Sequence, residues 1–378
     1  MAIITVLGTI QDYSIMTKTC TMKTIRKILL YTMVVILSVS MLIIFLIRKE
    51  IRTLLSFKRI PDTQMYYMEY YGDYNIDIAY NNGVDTDNIE KSVLDLYFPD
   101  FLWKAIFKET QPKDEIENDN GGCSTISYKN SDGSLFVGRN FDYDNDPLLI
   151  MNTKNNHHNN SIAILDLKFL GLSIENLQNL TLVDRINLLL APYIVMDGIN
   201  EHGVFVSNLL DYEEQLPLNE AKPNILSTLL YRIILDYAKN TEEALVIVDK
   251  FNVHFFTGTE HFLICDKSGR SVVVEYTDNR KVIIESDKNW QVVTNHILFG
   301  KTETQNDSIC NRYKIASEYL DTTKSDINFE KATNLMHSVG TNRTMWSSIY
   351  NLTTGDYWVS YRRDSNTIFK NKIEIINN

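Results

Sequence analysis

Residues 118–143 read NDNGGCSTISYKNSDGSLFVGRNFDY. A polar, glycine-marked stretch breaks at Cys123 into two alternating runs, CSTISYK and SLFVGRNF, separated by Asn-Ser-Asp-Gly. A polar turn containing Asp-Gly between alternating segments is a hairpin signal. Turn length decides which residues meet. If Asp132-Gly133 is a two-residue turn, Ser131 pairs with Ser134 and Cys123 falls opposite Asp142. If Asn130–Gly133 is a four-residue loop, Cys123 falls opposite Asn140. Either register puts Arg139 and Asp142 beside Cys123, because paired strands run only ~4.8 Å apart. Local structure alone gathers a thiol, a guanidinium and a carboxylate.

That trio suits nucleophilic chemistry. A thiol becomes a good nucleophile on deprotonation, and a neighbouring cation such as Arg139 favours the thiolate. No His lies on the hairpin to act as base. A chain cut between Gly122 and Cys123 would expose the α-amino group of the cysteine, whose ordinary pKa of ~7.7–8.0 suits general-base duty. Asp142 is placed to hold that amine. The glycines before the cut leave the backbone free to turn for attack by the thiol on the Gly122 carbonyl.

The rest of the sequence sets bounds on this idea. The chain has 378 residues, 44% hydrophobic and 22% charged, as expected of a folded protein of one large or two ordinary domains. A formal net charge of −11 and the lack of a basic, aromatic-interleaved stripe argue against a nucleic-acid partner. The four cysteines, Cys20, Cys123, Cys265 and Cys310, form no CxxC pair, which excludes a zinc ribbon or thioredoxin-type motif. Cys265 sits in the apolar run HFLIC and reads as a small buried hydrophobe. His202, His254, His261 and His296 show no metal-ligand spacing and read as structural or surface residues. No cofactor or metal is expected.

Ile28 to Ile47 is an uncharged run of 20 residues, ILLYTMVVILSVSMLIIFLI, long enough to cross the ~30 Å apolar core of a bilayer. It lacks the small residues of a cleavage site, so an uncleaved anchor is the expectation. Five basic residues after it against four before it do not decide orientation; the catalytic part is expected outside the cytoplasm. Residues 1–27 are then a tail, within which Met22 resembles a natural start, and 48–122 form a pro-segment and linker. Lys108–Gly122, KETQPKDEIENDNGG, reads as a solvated linker of the kind that is cut. The aromatic stretch from Asp62 to about Phe107 is expected to pack. The Asn/His-rich stretch Asn152–Asn160 reads as a surface loop.

After Cys123 the pattern is strands, helices, strands, helices, strands. Helices are expected around Glu175–Leu190, Ile225–Lys239, Thr241–Phe251, Ser308–Leu320 and Phe329–Ser338. Strands are expected in HFLICD, SVVVEY, KVIIES and WQVVTN and in a final hairpin, TMWSSIYNL and YWVSYR. Hairpins rather than βαβ crossovers imply an α+β protein with antiparallel sheets.

Gly122–Thr125 (GCST) together with Gly138–Tyr143 (GRNFDY) resembles the N-terminal-nucleophile cysteine amidohydrolases of the choloylglycine hydrolase group, with their bile-salt hydrolases, penicillin V acylases and related acyltransferases. The spacings of 16 residues from Cys123 to Arg139 and 19 to Asp142 agree with that family. DGINEHGVFVSNL (Asp197–Leu209), WQVVTN (Trp290–Asn295), SICNRYKIASEYL (Ser308–Leu320) and the closing hairpin extend the resemblance to about Arg363. It implies a four-layer αββα sandwich over residues 123–378, and linear, non-peptide amide C–N hydrolysis through a cysteine thioester after autocleavage at Gly122–Cys123. It also implies roles. Cys123 is nucleophile and, through its amine, base; Arg139 supports the thiolate and Asp142 the amine. Asn295 donates to the oxyanion and Arg312 steadies the site. Asn208 is the candidate for a second donor, although its offset from Asp197 fits the family pattern imperfectly. Without the resemblance, an Asn ending a strand is ordinarily a turn residue and an Arg on an amphipathic helix ordinarily solvated. The expected partner is a small N-acyl amide, a bile-salt or penicillin-type compound first and an N-acyl amino acid or ethanolamine next; oligomerisation stays open. The alternatives are an acyltransferase with the same nucleophile and a membrane-anchored binding protein that is never processed.

Overall fold

The structure, a computed structural model, describes residues 24, 26–86, 91, 94–96, 122–144, 146–154, 157–211, 219–255, 259–323 and 325–376. Residues 1–23 of the tail, with Cys20, residues 97–107 at the end of the aromatic run and the linker up to Gly121 lie outside them. The chain divides into two units, Met1–Arg52 and Thr53–Asn378. Within the first, residues Arg26–Leu46 form a helix of 21 residues, long and apolar enough to cross a membrane, with its side chains exposed.

In the second unit two sheets face each other. The strands are β1 Lys58–Arg59, β2 Met65–Tyr70, β3 Ser124–Lys129, β4 Leu135–Asp142, β5 Leu148–Thr153, β6 Ser161–Asp166, β7 Asp197–Asn200, β8 Val204–Leu210, β9 Asn224–Leu226, β10 Asn252–His254, β11 Glu260–Asp266, β12 Ser271–Thr277, β13 Arg280–Glu285, β14 Trp290–Val293, β15 Thr344–Asn351, β16 Asp356–Tyr361 and β17 Ile368–Lys372. One sheet runs β14-β3-β4-β15-β16-β17 and the other β1-β2-β5-β6-β7-β8-β11-β12-β13. Helices Asn311–Thr322 and Phe329–Ser338 cover the outer face of the first, and Ser227–Tyr237 and Thr241–Asp249 that of the second. The architecture is α+β. Purely antiparallel sheets were expected, and two pairings correct this: β2 runs parallel to β5, and β9 parallel to β10.

The decisive hairpin is present, but its register is neither of those expected. Ser124 pairs with Asn140, Thr125 with Arg139 and Lys129 with Leu135. The turn is three residues, Ser131–Gly133, closed by Asn130 N–H to Ser134 C=O at 2.9 Å, with Gly133 at φ 84° donating to Asn130 C=O. A type I turn ending in a left-handed glycine is the usual three-residue solution. Asn130 is held in the strand by two bonds to Ile327, and Asp132 Oδ1 accepts from the Ser134 N–H. Because opposite residues share a face, Thr125 and Arg139 both point between the sheets, where Thr125 Oγ1 lies 3.0 Å from Ser207 Oγ. Ile126 and Gly138 face the helices.

Two helices differ from expectation. Residues 175–190 give a short helix, Leu182–Asn187, capped by Thr181 and Asp184 and flanked by 3₁₀ turns, the second containing Pro192. The helix expected over Ser308–Leu320 is broken at Cys310, whose extended φ/ψ of −132°/111° separates Glu303–Ile309 from Asn311–Thr322. The Asn/His-rich stretch is also less loop-like than expected. Asn152 and Thr153 end β5, and the His158 ring packs 4.9 Å from Tyr237.

The segment preceding the cysteine is part of the second unit's sheet. β2 lies between β1 and β5, with Met65, Met68 and Tyr70 fully buried. Helix Ile76–Asn82 follows, with Ile76 and Ala79 buried.

Candidate active site

Cys123 stands immediately before β3, 6% exposed. With Phe141, Asp142, Tyr143, Phe169, Met196, Asn208, Leu209, Leu210, Thr228 and Glu260 it lines a cleft between the sheets. Most of that lining is apolar, and Asp142, Asn208, Thr228 and Glu260 supply its polar groups beside the cysteine thiol. Burial pushes the Cys123 thiol up; Arg139, Arg312 and the backbone of Asp142 oppose this, while the charge of Asp142 adds to it.

Arg139 is fully buried on β4. Its Nη2 donates to Asn208 Oδ1 at 3.0 Å and its Nη1 to the Asn208 carbonyl. Its Nε lies 3.1 Å from Asp197 Oδ2, an ion pair off the hydrogen-bonding axis. Asp197, the first residue of β7, is itself fully buried and accepts from Trp346 Nε1 at 3.0 Å, Ser348 Oγ at 3.3 Å and the Tyr350 hydroxyl. Burial raises the Asp197 carboxyl, against the pull of Arg139 and these three donors. One carboxylate from the nine-stranded sheet therefore fixes the guanidinium of the six-stranded sheet.

Asp142 ends β4. Its Oδ2 accepts from Thr341 Oγ1 at 2.9 Å, while Oδ1 is buried with no partner among the described residues. Burial raises its carboxyl, and the Thr344 and Thr341 hydroxyls, Arg312 and Arg139 pull it back. Unpaired buried carboxylate oxygens are costly, so this atom marks a place where a donor belongs.

Arg312 is the second residue of helix Asn311–Thr322. Helical side chains lean toward the N-terminus of their helix, and this one reaches over the chain ahead of the cysteine. Nη1 donates to the Gly122 carbonyl at 2.5 Å, to the Cys123 carbonyl and to Ser124 Oγ at 2.9 Å. Nη2 donates to Asn295 Oδ1 at 3.1 Å. A Cβ at residue 122 would lie 2.8 Å from Arg312 Cζ, so the guanidinium sits where only glycine leaves room.

Asn295 follows β14. Its Nδ2 donates to the Leu210 carbonyl at 2.7 Å. Its loop is clamped from below: His261 Nε2 lies 2.6 Å from Thr294 O and Nδ1 3.1 Å from Glu275 Oε1, while Glu275 accepts from the N–H groups of Leu298 and Phe299 at 2.8 and 2.9 Å. His296 Nδ1 meets Thr294 Oγ1 at 2.9 Å. Cys310, just before the Arg312 helix, has its thiol lowered to about 6; burial opposes this, and bonds to His296 and Thr294, the Tyr313 backbone and the Arg312 charge outweigh it.

The structure thus brings together all six residues singled out from sequence: Cys123, Arg139, Asp142, Asn208, Asn295 and Arg312. Asn208 turns both its carbonyls to Arg139, and its Nδ2 lies 3.8 Å from Met196 Sδ. Two site residues were missed. Asp197 lay inside the DGINEHG stretch, but its partner Arg139 is 58 residues earlier, and no local pattern links them. Glu260 opens β11, accepts from the Tyr231 hydroxyl at 2.6 Å, and has its carboxyl raised by burial. A charged residue starting the apolar run HFLIC was the only signal for it.

The family description for linear amide C–N hydrolases, choloylglycine hydrolase family, matches residues 123–340. A penicillin V acylase of Pectobacterium atrosepticum is 30% identical over 122 residues, 29% of this chain and 32% of that protein. The match therefore spans about a third of that curated relative. Among solved structures, penicillin V acylase from Agrobacterium tumefaciens aligns with TM-score 0.48 and 18% identity, over 66% of this chain and 86% of that one. A mutant of conjugated bile acid hydrolase from Clostridium perfringens aligns with TM-score 0.47 and 16% identity, over 68% and 93%.

Proposed function

The chain belongs to the linear amide C–N hydrolases of the choloylglycine hydrolase family, and on that premise we propose that it is a membrane-anchored amidohydrolase with an N-terminal-nucleophile αββα fold, made active by cutting itself between Gly122 and Cys123. The observation that carries this reading is the contact of Arg312 Nη1 with the Gly122 carbonyl, 2.5 Å long, one residue from the buried thiol.

In the self-cut, Cys123 Sγ adds to the Gly122 carbonyl carbon. The oxygen gains negative charge, and the Arg312 guanidinium already touches it. Collapse breaks the Gly122–Cys123 C–N bond, the thiol proton passes to the departing nitrogen, and Gly122 is left as a thioester on Sγ. Water hydrolyses the thioester to the Gly122 carboxylate and a free Cys123 thiol. The new α-amino group is the base of the second reaction. The unpartnered Asp142 Oδ1 supports its retention there.

In amide hydrolysis the amine takes the thiol proton and Sγ attacks the substrate carbonyl. The proton passes to the leaving amine, an acyl thioester forms, and water releases the acid. Arg139, fixed by Asp197, supports the thiolate. Asn295, held by the His261–Glu275 clamp, is the oxyanion donor, and Asn208 orients Arg139. Phe141, Tyr143, Phe169, Met196, Leu209 and Leu210 support an apolar acyl group in the cleft. The apolar helix Arg26–Leu46 supports a single membrane anchor.

Intact-mass analysis of the purified protein tests the reading. A fragment beginning at Cys123 is expected, and Cys123→Ala removes both that fragment and hydrolysis of glycocholate, penicillin V and long-chain acyl amides. An active protein with an intact Gly122–Cys123 bond overturns it. Acyl transfer to an added amine at the expense of hydrolysis would move the assignment to an acyltransferase.

A further inference from the structure

The piece of chain that a cut at Gly122–Cys123 would separate is woven into the sheet that it would leave. β2 pairs with β5 over six consecutive positions, from Met65 opposite Leu148 to Tyr70 opposite Thr153. The ladder is extended at both ends, by Leu148 N–H to Gln64 C=O at 3.1 Å and Lys154 N–H to Tyr70 C=O at 2.8 Å. Without β2, the edge of β5 would present a row of open backbone groups.

Side chains lock the same segment. The Tyr74 hydroxyl bonds both carboxylate oxygens of Asp236 at 2.9 Å, beside the Arg232–Asp236 ion pair at 2.6 Å. The Tyr70 hydroxyl donates to Leu189 C=O at 2.8 Å, and Tyr193 to Tyr74 C=O at 2.5 Å. The Tyr80 ring stacks on Tyr237 at 4.4 Å. Val84 N–H donates to Asn224 C=O at 2.8 Å. All these partners lie after Cys123, and Tyr70, Tyr74, Asp236 and Arg232 are buried.

We infer that residues 53–86 stay on the catalytic unit as its second chain after the Gly122–Cys123 bond is broken, so that the enzyme remains tethered through the apolar helix carried by that chain. The cut frees an amine without freeing a subunit. The tether, though not the retention, rests on the anchor and self-cut proposed above.

A cut independent of self-processing tests this. In the full-length chain carrying Cys123→Ala, a recognition site for an added protease is inserted between Gln111 and Asn118, and the chain is cut to completion in membranes. The 123–378 fragment is expected to float with the membranes, and after detergent extraction to elute with the N-terminal fragment at the size of the uncut protein. Tyr74→Phe should speed its separation roughly ten- to hundredfold, as expected for losing a bond to a buried charged group. A folded 123–378 fragment released into the supernatant, and eluting alone, overturns the inference. Failure of the wild-type chain to cut itself would count against the proposed function and leave this result readable. Co-elution of fragments from a chain that never floats would keep the retention and remove the tether.

Discussion

Replacing Arg312 by Gln should stall maturation of the protein. Nη1 of this residue meets the Gly122 carbonyl, the Cys123 carbonyl and Ser124 Oγ at once, and Nη2 braces the group on Asn295. The Asn295 amide donates instead to Leu210 C=O, so Arg312 is the side-chain donor in place on the carbonyl to be attacked. Loss of one such donor costs about 2.7–4 kcal/mol, or 10²–10³ in rate. A charged donor belongs at the upper end of that range, because charge-assisted bonds are about twice as strong as neutral ones. Arg312→Lys keeps charge but loses the fork and should fall between. The assay is a time course of precursor loss by denaturing gel and intact mass after cell-free synthesis, with circular dichroism to confirm folding. Gly122→Ala approaches the same contact from the other side, since its methyl would crowd Arg312 Cζ at 2.8 Å, and should slow the cut about tenfold or more. An Arg312→Gln precursor that is folded and matures at the wild-type rate would refute the reasoning.

The self-cut should also accelerate with pH, by about tenfold per unit from pH 6 to 8, because burial holds the Cys123 thiol above its ordinary 9.0 and thiolate is scarce across that range; a flat profile contradicts a thiolate attack. Cys310, whose thiol is shifted the other way, should react at lower pH, with iodoacetamide labelling in a Cys123→Ala background rising through a midpoint of about 6, while Cys265, buried and raised, stays unlabelled. Asp197→Asn strands Arg139 without its counter-charge and should destabilise the protein by roughly 3–5 kcal/mol, read as a lower midpoint in urea, with loss of the self-cut. The His261–Glu275 clamp gives a pH window. Glu275 lies below its ordinary 4.5: burial opposes, but His261 and two N–H groups prevail, so its contribution is lost as pH falls. His261 lies above its ordinary 6.5: burial opposes, but Glu275, Asp211 and the Thr294 carbonyl prevail, so its contribution is lost as pH rises. The clamp is therefore strongest between those ordinary values, and Glu275→Gln should flatten the Tm profile there while lowering amidase activity.

Much of the site was legible because it is local. Cys123, Arg139 and Asp142 lie on one hairpin, and alternation with a turn signal brings them to the same end of it, while the register decides which of them share a face. The register itself was read one residue wrong, because an Asp-Gly turn was weighed with even loop lengths only, while Gly133 in the left-handed region serves a three-residue loop. The helix break at Cys310 was hidden by the amphipathic pattern continuing through Ile309 and Tyr313. What lay beyond reach was pairing at long range. MYYMEY announces a packed segment, yet nothing in it names β5, some 80 residues on, as a parallel neighbour. Asp197 likewise looks like any strand-end acid until Arg139, Trp346 and Tyr350 arrive from the other sheet.

The Ser131–Gly133 turn has a reach greater than its size. It lies eight residues from Cys123, about 27 Å along a strand at ~3.4 Å per residue, and touches no reacting group. It nevertheless sets the odd–even parity of the whole hairpin. Adding or removing one residue there would turn Arg139 from the inter-sheet layer to the helix side and carry Asn140 inward in its place. Insertions of one residue in this exposed loop should then be as damaging to chemistry as substitutions at the nucleophile, whereas insertions of two should be tolerated. A surface turn in this chain is a gauge for its catalytic geometry.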